Sequence, residues 1–481
     1  MNSSMVEYDF VVIGAGMSGL CFAALAAQQG KRVFVAEQHY LPGGCLTAFK
    51  SGSYTFNVAF EWTTDCAPGQ LLHTILKDLE VIEDYPFKRV DVFKTVVFAD
   101  ASRRVIFPTK AERLRLSLCQ SFPEQEREID RFLDDCVQVA CNGPRGKAVL
   151  LRHGIKPIEQ MLADYFIDPV LQHALYGLLG YPAARGVLLM YIVGAVASDE
   201  IWVPIHRDHR RLSSLFYRRI KSMGGHVALS TTVNKILIDN ECAAGIRLAD
   251  GRVVRARHVV ATTDPQQLYS KLIPRDVSEA DRPTGSPGLS CFNVFLGLKQ
   301  PVRSPASVGS AYALLADQDA WQADPNGLSG IPLRFELQSA EYPGLAPKGH
   351  STLCVWGATP ISAFDYWGQG RDEEYEEINR HSYANARARA AEIVLSRVER
   401  VMPGIRKNIA VMETATPFTY KRYTKALAGS VSGFSLTDIS YLKERPHHTP
   451  IKGLFHIGHW TTQSGVNSAM YSAASLAKSL L

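Results

Sequence analysis

A chain of 481 residues is too long for one small hydrophobic core and predicts about two to three domains. Its 46% apolar and 21% charged content is that of an ordinary globular protein, and a net charge of +5 is too mild to point to nucleic acid. Nine scattered cysteines, with no Cys-x-x-Cys and no Cys/His spacing for a metal, read as reduced thiols of a cytoplasmic protein.

The chain opens with MNSSMVEYDF, which lacks the basic and apolar regions of a signal peptide. Residues 9–15 then predict a buried parallel strand, Ser18–Gln29 a helix that Gly30 stops, and KRVFVAE a second strand ending at Glu37. The turn between them, GAGMSG, has a job for each glycine. Gly14 makes the tight turn, Gly16 leaves bare backbone for a pyrophosphate, and Gly19 lets the helix lie close to the sheet. The free N–H groups of the helix start, at Ala15 to Ser18, then face the phosphates. Glu37, with Gln38 after it, stands where an acid bonds ribose hydroxyls, and an acid argues against a 2′-phosphate. These residues predict dinucleotide binding.

Next comes QHYLPGGCLTAFKSGSYTFNVAF, irregular and then strand-like, where a nicotinamide enzyme would continue with further strand–helix units. The Gly43–Gly44 bend lets the backbone return toward a large cofactor, which favours FAD. Further on, helices are expected around 111–140 and 374–402, and strands in FKTVVFAD, SCFNVFLGL and STLCVWGA. The run GVLLMYIVGAVAS is shorter than the roughly 18 apolar residues of a membrane span. It reads as a buried helix or as a surface that dips into a bilayer. The basic run at Arg207, Arg210, Arg211, Arg218, Arg219 and Lys221 suits either an anionic membrane surface or an ordinary solvated helix face. At the far end LFHIG is strand-like, and Gly465 precedes a small-residue helix from Val466, whose N-terminus can stabilise negative charge on a flavin.

Taken with LFYRRIKSMGGHVALSTTVNKILIDNECAAGIRLADGRVVRARHVVATTDP and ERVMPGIRKNIAVMETATPFTYKRYT, these motifs make the chain resemble the phytoene desaturase-like flavoproteins over nearly its whole length. That family includes carotenoid desaturases, carotenoid isomerases and retinol saturases. The resemblance implies an α/β fold: a Rossmann-type FAD-binding domain built from discontinuous segments, with an inserted α+β substrate domain. The cofactor domain is expected at 5–80, 205–275 and 410–481, and the substrate domain at 81–204 and 276–409. The resemblance also implies that Val233 meets the adenine through its backbone, and that Gly458, Gly465, Val466 and Asn467 line the cofactor. The chain departs from the family at three places. Cys45 and Leu46 follow Gly44 where a basic residue is common, His459 replaces an acid, and VPIHRDHRRLSSLFYRRIK replaces a glycine-rich Pro-Lys-Gly-Gly.

No Ser-His-Asp order and no metal spacing is visible, so reactivity is expected to rest on the flavin, with the protein supplying position and polarity. Hydride exchange with a polyene needs a long dry pocket, since water would quench a cation. The apolar 171–198 region and aromatics around Phe60–Trp62 and Phe364–Trp367 are candidates to build it, or ordinary core. The candidate catalytic residues are Glu61, Trp62 and His459. A carboxylate between Phe60 and Trp62 would be desolvated, its pKa raised toward a useful range for proton transfer. Two enzyme classes fit: desaturation, saturation or isomerisation of an apolar polyene or isoprenoid, or oxidation or cyclisation of another metabolite such as an amine or a polyene precursor. A non-catalytic flavin-binding regulator is a third reading. The enzyme classes imply a separate electron donor or acceptor.

Overall fold

In a computed structural model of the chain, which describes residues 8–58, 61–100, 103–181, 184–205, 208–275, 277–278, 282–283, 285–302, 311–317, 319, 327–359, 380–435, 447–462 and 464–481, two seven-stranded sheets organise the molecule. Strands β1 (Tyr8–Ile13) and β2 (Val33–Ala36) pair in parallel, with α1 (Met17–Gln28) crossing between them. Val11, Val12, Val33 and Val35 have no solvent exposure, as in central strands covered on both faces. Strand Val253–Ala261 lies on the other side of β1, followed by Cys242–Leu248 and Val233–Asp239; His226–Ala228 extends the sheet beyond β2. Leu454–His456 adds a parallel strand beside Val259–Ala261. Three distant pieces of sequence thus build one sheet. Helix α1 is apolar on nearly every side because it is covered on nearly every side, with Met470, Ala473 and Ala477 of the C-terminal helix Val466–Leu480 in the same core.

The second sheet runs Ile409–Ala415, Ser290–Leu298, Ser351–Thr359, Leu333–Glu336, Ala311–Leu314, Val92–Val97, Arg104–Pro108. One face of it, with Val294, Leu296, Val355, Phe335 and Tyr312, packs on helix Arg380–Val401. The pairing Asn293–Trp356–Arg334 crosses three strands in one row, and alternation puts those side chains on the opposite face. On that side Val96, Ala313 and Leu315 join the core of the helices between 111 and 197.

The apolar run of the sequence is helix Gly186–Ala197, buried against Glu126–Ala140 through residues such as Leu189, Met190 and Val193. Among the described residues no helix is long and apolar enough to cross a membrane. The basic run forms helix His209–Ser222, capped by Asp208, which accepts the Arg210 N–H. Its arginines have local acids: Arg210 pairs with Asp208, Arg211 with Asp84 at 3.7 Å and Arg219 with Glu80 at 2.8 Å. Lys221 lies over the Tyr217 ring. Arg207, Phe60 and the stretch 364–367 lie outside the described residues.

Candidate flavin site

The turn after β1 is built for close approach. Gly14 has a φ of +100°, its N–H donates to Ala36 O at 2.8 Å, and a Cβ there would meet Thr262 Oγ1 at 2.4 Å. Helix α1 lies so near β1 that a Cβ on Gly19 would stand 2.1 Å from Gly14 O. Gly16 differs: a Cβ on it would meet nothing within 4 Å. It caps α1 without any side-chain hydrogen bond, and no acidic residue occupies the first turn. The N-terminal N–H groups of α1 are therefore free of side-chain partners beside bare, open backbone, which fits a phosphate. Two other segments close on this turn. Gly43 N–H donates to Ala15 O at 2.8 Å, and a Cβ on Gly44 would come within 3.2 Å of Gly16 Cα. From the C-terminal strand Gly458 faces Ser18, whose Oγ would stand 3.0 Å from a Cβ there.

Glu37 is buried at the end of β2. Its Oε2 accepts the Ala15 N–H at 2.6 Å and its Oε1 the His39 N–H at 2.8 Å, so the carboxylate holds the phosphate turn as well as facing it. Each oxygen keeps a lone pair for a ribose hydroxyl. The backbone of the following segment is sewn to this corner: Thr231 N–H donates to Glu37 O at 2.7 Å, and Ser230 N–H to His39 O at 2.9 Å. Val233 starts its strand two residues later. Gln38 is exposed, and its Nε2 lies 3.5 Å from Tyr423 O.

At the other end Gly465, φ +118°, opens the C-terminal helix with no side-chain cap. Val466 packs against the core of the first sheet, and Asn467 donates through Nδ2 to Thr64 Oγ1 at 3.2 Å. His459 follows Gly458 with Nε2 shut off from solvent and, among the described residues, no hydrogen-bond partner. Burial, helped by His456, pushes its imidazole down to about 4, so it is neutral at physiological pH.

Glu61 corrects an expectation. Its Oε2 accepts from Lys94 Nζ at 2.9 Å and Arg334 Nη1 at 3.3 Å, and its Oε1 from Trp356 Nε1 at 2.8 Å. Burial alone would raise its pKa, but the two cations more than reverse that and hold it at about 2. A carboxylate locked in its ionised form cannot donate a proton near neutrality, so the raised value expected from its aromatic neighbours is overturned. Lys94 is just 2% exposed, and burial with Arg334 nearby lowers its ammonium to about 8. Arg334 also donates to Leu178 O and Leu179 O and lies 4.8 Å from the Trp356 ring centre. Trp62 does not touch this cluster through any hydrogen bond; it packs edge-on to Phe93 at 5.4 Å, as a wall.

Sequence reasoning missed Lys94, Arg334 and Trp356, together with Thr64 and Asp65. A charged residue inside a strand-like run, as in FKTVV or LRFE, was the available signal for the first two.

Geometry and topology define the class: a dinucleotide-binding α/β fold whose first helix is uncapped by any side chain, with a second glycine-led helix packed against it. A profile of the family described as flavin containing amine oxidoreductase matches residues 17–481, and the chain belongs to that family. It is a flavin-dependent oxidoreductase. It is 24% identical to the all-trans-retinol 13,14-reductase of Danio rerio, over 97% of this chain and 85% of that one. It is 21% identical to the prolycopene isomerase of Daucus carota (94% and 76%) and 25% identical to the all-trans-zeta-carotene desaturase of Myxococcus xanthus (96% and 91%). Among solved structures, an oxidoreductase from Methanosarcina mazei superposes with a TM-score of 0.66 at 17% identity, covering 98% and 99% of the two chains. A putrescine oxidase variant superposes equally well at 13% identity, covering the same shares, which shows the shared fold.

Two substitutions separate packing from binding on the same turn. Gly19→Ala forces α1 off β1 and is expected to cost at least about 2 kcal/mol in a denaturant titration. Gly16→Leu should leave that titration within about 0.5 kcal/mol of wild type, yet the purified protein should lose its flavin absorbance. Equal flavin content in Gly16→Leu and wild type would overturn the assignment.

Glu61→Gln leaves two buried cations on a neutral amide, so it should destabilise the fold by about 3–5 kcal/mol. The sign with pH follows from the depressed carboxyl. Its contribution is complete above the ordinary value of 4.5 and disappears as pH falls toward about 2, so the wild-type advantage over Glu61→Gln in melting temperature should shrink through that window.

Proposed function

We propose that the protein is an FAD-dependent oxidoreductase exchanging a hydride with an apolar polyene or isoprenoid, in desaturation, saturation or isomerisation. The observation that carries this reading is likeness along almost the full chain to enzymes named for retinol, prolycopene and zeta-carotene. In this reading the amides from Gly16 to Gly19 bind the pyrophosphate, the Ala15 N–H being held by Glu37, while Glu37 meets the adenosine ribose and the 231–233 backbone the adenine edge. The N-terminus of helix Val466–Leu480 faces the flavin ring. When bound, the flavin supplies reversible two-electron hydride chemistry.

The chain's own residues do the rest. Trp62, Phe93 and Trp356 exclude water on the side of the second sheet. His459 stays neutral and keeps a ring nitrogen for a hydroxyl or a ring atom of the cofactor. Residues 5–80, 205–275 and 410–481 serve as the cofactor domain and the intervening segments as the substrate domain. Within that division the strand Ile409–Ala415 is an edge of the second sheet and marks the return from one to the other. Oxidation of the substrate requires a separate electron acceptor, and saturation a separate donor.

Amine oxidation is the less favoured chemistry for a physical reason. At the second sheet an ammonium substrate would meet Glu61 already paired with Lys94 and Arg334, two cations that repel it. Membrane docking through the basic helix is not part of the proposal, because three of its arginines already hold acids of this chain.

The test is anaerobic incubation of the purified protein with retinoid or carotenoid polyenes and, separately, with diamines. Polyenes should bleach the oxidised flavin, or reoxidise a chemically reduced one. Bleaching by diamines alone would overturn the reading. The chain carries one Gly-x-Gly-x-x-Gly turn, so direct reduction by NADPH should be slower than turnover and should not saturate at micromolar concentration in a stopped-flow experiment.

A further inference from the structure

Residues Glu61–Cys66 form a strap held at both ends. Its start is fixed to the second sheet by the Glu61 ion pairs. Its middle is fixed to strand Trp202–Pro204, where Thr63 and Trp202 exchange both backbone hydrogen bonds at 2.9 Å. Its end meets the C-terminal helix through side chains. Thr64 Oγ1 donates to Asp65 Oδ2 at 2.6 Å and accepts from Asn467 Nδ2 at 3.2 Å, and Tyr471 OH donates to the same Asp65 Oδ2 at 2.9 Å.

Asp65 has a φ of +64°, a left-handed value that aspartate adopts more readily than most L-residues. Among the described residues it has no ion-pair partner within 4.0 Å. Its acidic neighbour is Glu200, which accepts from Gln70 Nε2 and the Trp202 ring N–H and pairs with Arg89. The phenols of Tyr191 and Tyr471 face it as well, both raised, first by burial and then, for Tyr471, by Asp65 itself. A carboxylate without an ion-pair partner among the described residues is therefore bonded to Tyr471 of this helix and, through Thr64, to Asn467 in its first turn, at the helix start that the proposed function gives to the flavin ring.

We propose that Asp65 is a positioning residue for that helix start: through Thr64 it orients Asn467 toward the cofactor, through Tyr471 it holds the helix itself, and its charge offsets the helix N-terminus and so lowers the midpoint potential of the bound flavin. This rests on the flavin assignment above. A helix N-terminus favours the anionic, reduced form of a flavin. A fixed negative charge beside it opposes that preference, and the strap holds it there.

Asp65→Asn is the discriminating variant. Asparagine tolerates the left-handed backbone and still accepts from Thr64 and Tyr471, so the fold and flavin content should persist while the charge is gone. The midpoint potential, measured spectrophotometrically against a reference dye, should move to a more positive value, with kcat changing more than KM. Asp65→Gly relieves the backbone and removes both hydrogen-bond acceptors; its flavin Kd should rise at least tenfold without loss of melting temperature in the flavin-free protein. Wild-type potential in Asp65→Asn together with wild-type flavin affinity in Asp65→Gly would overturn the inference, as would a fall in stability with no change in potential. A wild-type protein that binds no flavin would instead overturn the flavin assignment itself.

Discussion

The structure depends on a place where side chains are missing. At the end of β1 the backbone of Gly14, the first turn of α1 and the Gly43–Gly44 bend approach one another so closely that only hydrogen fits at Gly19 and Gly14. That contact sets the crossing of α1 on the sheet, and with it the direction in which the helix start points. Gly16 is the exception inside the cluster, close to its neighbours through Cα yet open where a Cβ would project. Packing explains the crowded glycines and leaves the open one unexplained. A ligand that needs bare backbone accounts for it.

Around this point the first sheet is assembled from three pieces of sequence, two of which are stitched by Glu37. Its carboxylate binds the turn before it, and its backbone binds the strand segment at 228–231, so the glycine turn, the Glu37 corner and the 228–231 backbone are one hydrogen-bonded unit. A change at Glu37 would consequently disturb the turn's shape and not merely one contact to a ribose. The second sheet reaches the same region by a different device, the strap from Glu61 to Cys66, which joins it to the C-terminal helix by ion pairs at one end and hydroxyl and carboxylate hydrogen bonds at the other.

How much of this was legible in the sequence follows the range of the interactions. The strand–turn–helix–strand unit is local, with glycine positions and apolar runs fixed by neighbours within thirty residues, and the helices around 111–140 and beyond 380 carry their own period. The strand at 454–456 and the helix after Gly465 were legible too, because a glycine-led helix start keeps its local marks. Glu61 was not. Its neighbours in sequence are aromatic and suggest a raised pKa, but its neighbours in space are Lys94, 33 residues away, and Arg334, 273 away. An electrostatic environment made by distant charges leaves no local pattern. The basic run left two readings open for the same reason, since the acids that pair with it at Asp84 and Glu80 lie on another segment.

The charges that are buried explain what kind of substrate chamber this scaffold can offer. Lys94 and Arg334 share Glu61, Glu336 lies close enough to favour the Lys94 charge, and His459 is held neutral by burial. The cations of this group are answered by acids of the chain itself, while the lowered Lys94 ammonium shows that its partners offset its desolvation only in part. An interior balanced in this way is suited to an uncharged, apolar guest beside a flavin, and it disfavours a guest that must bring its own charge. The N-termini of α1 and the C-terminal helix, neither capped by a side chain, then remain the features whose partial positive charge suits an anion.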